Sequence, residues 1–160
     1  MIPKVSKIFS TFGIVFFTMD KTYSFPKSEH LCGDKRITRL FTQGEAFIAY
    51  PLRVVFLLEP IKDKEPFSVM VSVPKKRFKR AVKRNRLKRL MREAYRLNKH
   101  ILTEKIHEKH LQIHIAFHYI SDDELNFEAV EKKMKVALHK LLLKVESFQS
   151  PDKVDLPDNQ

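Results

Sequence analysis

Seven histidines and nineteen Asp or Glu side chains are the first candidates for chemistry, since clusters of these groups hold hydrolytic metals or act as acid–base pairs. Their placement does not build such a centre. Glu104, His107, Glu108 and His110 resemble a loose metal cluster, but Lys105 and Lys109 interrupt it and no ligand spacing recurs, so a surface helix is the better reading. His114 and His118 share one face of an extended segment at i, i+4, about 13 Å apart by strand rise, too far to hold one ion. Asp122, Asp123 and Glu124 follow Ser121 in the pattern of a helix capping box, which explains them by capping and the helix dipole. The single cysteine, Cys32, has no partner for a disulfide or a zinc knot and fits a reducing cytoplasm. Three glycines are too few for a glycine-rich phosphate loop, so nucleotide hydrolysis is a poor hypothesis. No catalytic residue and no metal ligand is assigned.

Cations are what remain. Lys75 to Arg96, KKRFKRAVKRNRLKRLMREAYR, holds twelve Lys or Arg against one acid, Glu93, so +11 of the chain's formal net charge of +12 lies in this segment. A charge so localised is the footprint of a polyanion-binding surface. The plain alternative is a solvated helix face, but such faces mix Glu with Lys because like charges at i, i+4 repel by a few tenths of a kcal/mol per pair. Arg84–Lys88, Lys88–Arg92 and Arg92–Arg96 accept that repulsion repeatedly, which points to an external polyanion. Arginine forks suit phosphate and unpaired bases, so a structured RNA fits better than duplex DNA. Contact with six or more phosphates predicts that affinity falls by roughly 10³-fold or more between about 50 and 200 mM salt.

The elements that must position this charge follow from periodicity. The 160 residues, 43% apolar, suit one domain with a real core. Asp34 to Gln43 places Ile37, Leu40 and Phe41 at i, i+3, i+4 with Gly44 as the stop, a short amphipathic helix. Leu52 to Glu59 and Phe67 to Val73 read as neighbouring strands of a hairpin, with a shorter strand over Glu45 to Ala49. In the basic segment Leu87, Leu90, Met91, Ala94 and Leu97 share one arc that can dock on a sheet, while Asn85, Lys88, Arg89, Arg92 and Arg96 face away. A polar linker then leads to a two-faced strand, Leu111 to Tyr119. A long helix closes the chain, opened by the capping box at Ser121 and striped by Leu125, Val130, Met134, Leu138, Leu141 and Val145. The predicted fold is an α+β, single-domain α-β-β-β-α-β-α sandwich with helices packed on an open four-stranded sheet. Residues 1–20 are expected to be an apolar extension, too short between charges to span a membrane, with Met19 a candidate translation start. Residues 21–148 form the domain, and 149–160 read as a disordered tail.

KRAVKRNRLKRLMREAYR resembles the signature helix of the bacterial ribonuclease P protein subunit. The likeness extends upstream through Ser68 to Lys76 (SVMVSVPKK) and Lys35 to Gly44, and spans about Leu31 to Lys144. The chain departs from the family pattern at Arg77-Phe78-Lys79-Arg80, one residue longer where the family commonly has a glycine turn.

The resemblance implies that catalysis resides in an RNA subunit using divalent ions, Mg2+ reaching the complex through that RNA, and that the holoenzyme cuts the 5′ leader from precursor tRNA. It implies that Arg84, Asn85, Arg86, Lys88, Arg89 and Arg92, with Lys75, Lys76 and Arg80 beside them, contact the RNA subunit in a 1:1 complex away from any membrane. It further implies a leader cleft between the first helix and the sheet, lined by Phe41 and Phe56. Core packing is the alternative for Phe41 and the better reading for Phe56. The family's left-handed βαβ crossover through the basic helix is implied as well. A stand-alone RNA-binding module, such as a ribosomal or chaperone protein, is the competing function.

Overall fold

A computed structural model describes residues 24–149. The expectations for the apolar extension, for Met19 and, beyond Gln149, for the tail lie outside the described residues. A short 3-10 turn, Lys27–Glu29, leads into helix α1 (Asp34–Gln43), strands β1 (Glu45–Ala49), β2 (Leu52–Pro60) and β3 (Phe67–Ser72), helices α2 (Ala81–Asn98) and α3 (His100–Glu108), strand β4 (Leu111–Tyr119) and helix α4 (Phe127–Ser147). The polar linker is largely helix, as the surface-helix reading of Glu104 to His110 expected, but it is not a surface element alone. Its Leu102 and Ile106, spaced i, i+4, are fully buried and pack with the core.

The four strands form one sheet in the order β1-β2-β4-β3, with β1, β2 and β4 antiparallel in turn and β3 parallel to β4. This corrects the expected hairpin of β2 with β3: β4 lies between them. The connection after Pro60 arches over the start of β4, where Gln112 Oε1 accepts from the backbone N–H of Lys62 and Asp63 at 3.0 and 3.1 Å. Periodicity reports that a strand exists; burial on both faces decides which strand takes the centre, and β4 is buried at every position except His118.

The register divides the sheet cleanly. Leu52, Val54, Phe56 and Leu58 of β2 lie level with Tyr119, Phe117, Ile115 and Ile113 of β4 and face the layer made by α2, α3 and α4. Val55, Leu57, Ala116 and Met70 face α1, whose Leu40 is fully buried against them. Burial of that leucine alone contributes about 1.5–3 kcal/mol. Gly33 caps the N-terminus of α1 at φ +94°, in the left-handed region that favours glycine. Gly44 ends the helix for a different reason than a left-handed stop. Its backbone is extended, and it passes so close to the Leu40 and Phe56 carbonyls that a side chain would collide.

The long helix begins later than the Ser121 capping box implied. Asn126 is the cap, its Oδ1 accepting from Ala129 N at 3.0 Å, while Ser121 Oγ accepts from Asp123 N in a preceding turn. The Tyr119 hydroxyl donates to the Asp123 carbonyl and accepts from Leu125 N, tying residues 121–125 into a loop before the helix can start. Leu125 is thus a half-buried loop residue.

Candidate RNA interface

Helix α2 packs on the sheet beside α4 through Leu87, Met91, Ala94 and Tyr95. The buried stripe is turned slightly from the expected arc: Tyr95 is inside and Leu90 and Leu97 are half-buried. The reason is aromatic, as the Tyr95 ring lies 6.0 Å from Phe117 and 5.3 Å from Phe25. With that face fixed, Asn85, Arg86, Arg89 and Arg92 are exposed and Lys88 is half-exposed.

The loop that carries Lys75, Lys76 and Arg80 is anchored by Phe78, a residue whose role the sequence pattern did not signal. Its ring is 5% exposed and lies 5.9 Å from Tyr119. With Phe78 inside, Lys75, Lys76, Lys79 and Arg80 are exposed around it. Arg84 reaches back to the same loop, its Nη1 donating to the carbonyls of Phe78 and Lys79 at 2.8 and 2.7 Å. It is therefore partly a loop-pinning side chain. Arg77 pairs with Asp122 at 2.7 Å and Lys83 with Glu124 at 3.5 Å, so the acidic turn neutralises two neighbours of the cluster. Arg96 pairs with Glu93, which its hydrogen bond holds below the usual carboxylate range.

Among the described residues, the side chains of Lys75, Lys76, Arg80, Arg86, Lys88, Arg89 and Arg92 take part in none of the ion pairs. Lys79 and Arg84 form no ion pair either, so among the described residues nine of the twelve cations of residues 75–96 lack an internal counter-charge.

The α1 face of the sheet is covered only in part. Ile48, Arg53, His118 and Ser72 form one row across the four strands beyond α1. Phe41, 44% exposed, overhangs that row with its ring 5.4 Å from His118. Burial, and next the nearby Arg53, lower the His118 pKa, keeping the imidazole neutral at neutral pH. β3 ends at this row and runs directly into the basic loop. Phe56 does not belong to this row. It is 3% exposed on the opposite face, packed in the core with a ring 6.0 Å from Phe47. Alternation along β2 places it there, one residue out of step with Arg53 and Val55. Arg53 and His118, absent from the sequence assignment, stand in the row instead, and only cross-strand register reveals them.

Among the described residues no three His, Cys, Asp or Glu side chains are placed to hold a metal ion, and no helix is long and apolar enough to cross a membrane.

The family model described as Ribonuclease P matches residues 25–142. The ribonuclease P protein component of Porphyromonas gingivalis is 47% identical over 121 residues, covering 76% of this chain and 88% of that protein. Among solved structures, the RNase P protein of Thermotoga maritima aligns with a TM-score of 0.56 and 21% identity, covering 70% of this chain and 96% of its own. That of Staphylococcus aureus aligns with a TM-score of 0.51 and 20% identity over 76% and 97% of the two chains. The structural likeness shows the shared fold, and with the family match over most of the sequence, the chain belongs to the ribonuclease P protein family.

Proposed function

We propose that this chain is the protein subunit of ribonuclease P, binding the catalytic RNA and the 5′ leader of precursor tRNA and assisting metal-dependent endonucleolytic removal of that leader. The observation that carries this reading is the uncompensated cationic face of α2 and its leading loop. Arg86, Lys88, Arg89 and Arg92, with Asn85 as a neutral donor, bind the phosphates and exposed bases of the RNA subunit from the helix. Lys75, Lys76 and Arg80 extend that contact along the loop, and Arg84 holds the loop in place while keeping further donors for RNA. The groove under Phe41 takes the leader, the Phe41 ring stacking on a base without regard to its identity and Arg53 meeting its backbone.

In this reading the protein supplies binding and orientation, and the bond is broken at the RNA, where Mg2+ is bound. The complex is 1:1 with the RNA subunit and works in the cytoplasm.

Reconstitution with a bacterial ribonuclease P RNA at low magnesium tests the proposal. Addition of the protein should restore cleavage of precursor tRNA and tighten its binding. RNA binding without any rescue of cleavage would instead identify a stand-alone RNA-binding module.

A further inference from the structure

Helix α1 forms one wall of the proposed leader groove, yet it is only ten residues long and Leu40 is its only buried residue. A helix this short is marginal by itself, and its apolar contact is one narrow line, buried Leu40 with half-buried Ile37 a turn before it, which resists rolling about the helix axis only weakly. Arg39 and Phe41 flank that anchor, each about 100° around the helix from Leu40 on opposite sides. Phe41 overhangs His118 on the groove side. On the other side Arg39 donates from Nη2 to Glu59 Oε1.

Glu59 is a charged residue held 7% exposed at the end of β2. Its second oxygen accepts from Gln112 Nε2 at 3.2 Å and lies 3.5 Å from His114 Nε2, both on β4. Gln112 in turn is fixed by the backbone N–H of Lys62 and Asp63. The carboxylate is therefore immobilised in the sheet before α1 reaches it. The pair is only half buried, the Arg39 side chain being 47% exposed and that of Glu59 8%, so solvent screens it and it adds little to stability; what it supplies is one fixed geometry among several. Here the geometry at stake is the roll angle of α1.

We infer that Arg39 and Glu59 are positioning residues for the precursor leader: their pair locks the roll of α1 so that Phe41 is held over the Ile48–Arg53–His118–Ser72 row. This rests on the groove reading given above. Neither residue touches the leader; both act through the Phe41 ring.

The chain contains no tryptophan, so Phe41→Trp introduces a single reporter into the groove wall. In that background Arg39→Ala and the isosteric Glu59→Gln should each shift the emission to the red and raise acrylamide quenching, while Arg39→Lys retains most of the unshifted signal. With Phe41 in place, Arg39→Ala and Glu59→Gln should weaken holoenzyme binding of leader-bearing precursor by roughly threefold to tenfold and leave leaderless tRNA unchanged, and the double variant should lose no more than one single, as members of one network do. Phe41→Ala in parallel separates the two ideas. If it is leader-selective while Arg39→Ala and Glu59→Gln are not, the locking role is overturned and the groove stands. If Phe41→Ala is not leader-selective, the groove reading falls and the inference with it. Glu59→Gln keeps the side-chain shape, so a folding failure of Arg39→Ala does not remove the test.

Discussion

The Arg84 guanidinium is bonded to the Phe78 carbonyl at 2.8 Å, joining the first turns of the basic helix to the loop that precedes it. A second bond from the same nitrogen to the Lys79 carbonyl makes the contact a two-point clasp. Arg84 and Arg86 therefore differ in kind although they are two residues apart. Arg86→Ala should weaken RNA binding and lower the salt slope of log K by about one, as the loss of one phosphate contact does. Arg84→Ala should weaken it further and also speed amide hydrogen exchange across residues 75–80. Equal exchange in the two variants would contradict the clasp.

Gly44→Ala tests the close approach of α1 to β2. An added Cβ would lie 2.3 Å from the Leu40 carbonyl oxygen and 2.8 Å from that of Phe56, both backbone atoms with little room to yield. A loss of about 2 kcal/mol or more is expected, in the range of strained-site substitutions, read as a fall in the urea midpoint. An unchanged midpoint would mean that α1 is not held this tightly.

Phe41→Ala and Phe56→Ala should separate function from core. The first removes a 44% exposed ring over His118 and should cost about 1–3 kcal/mol of leader binding with little change in stability. The second empties a core position and should cost about 3–5 kcal/mol of stability. Precursor and leaderless tRNA titrations beside chemical denaturation check both, and a large stability loss for Phe41→Ala would return that ring to the core.

Tyr95→Phe should be neutral or stabilising by up to about 1 kcal/mol. The hydroxyl is buried without a hydrogen-bond partner among the described residues, and burial, aided by Glu29, raises its pKa well above the ordinary value. Removing an unsatisfied buried polar group relieves its desolvation cost while the ring contacts with Phe117 and Phe25 persist. A lower melting temperature for Tyr95→Phe would show that the hydroxyl is satisfied in solution.

Acidification should destabilise the domain through His114 and His118. Burial, the largest cause in both cases, lowers their pKa in the folded state below the usual histidine value of 6.5. The unfolded chain then takes up protons first, so the stability contribution is complete above that value and falls as pH drops from there towards the depressed folded values. Denaturation midpoints at pH 7.5, 6.5 and 5.5 should fall more steeply for the wild type than for His118→Gln. Parallel curves would exclude this histidine as a source of the loss.

Much of the fold was legible in the residue pattern because local geometry is written at short range. The 2.0 period of Leu111 to Tyr119 and the helical stripe around Leu87 and Met91 needed no knowledge of their partners, and these two elements stand where the pattern placed them. The family likeness was legible for the same reason, since RNR and its flanks are contiguous. The polar composition of His100–Glu108 suggested only a surface helix and hid its buried Leu102 and Ile106, and the start of α4 was misread because Ser121-Asp-Asp-Glu imitates a cap that Tyr119 diverts into a loop.

The sequence by itself determined that the net charge is concentrated on one amphipathic helix, because charge and period are properties of the order of residues. Only the tertiary structure decided which strand is central, that Phe56 faces the core, and that Arg53 and His118 stand side by side with Phe41 over them. These residues are far apart along the chain and are joined by cross-strand register and by the seat of α1. Register depends on the burial of both sheet faces at once, a balance that no single segment of the sequence contains.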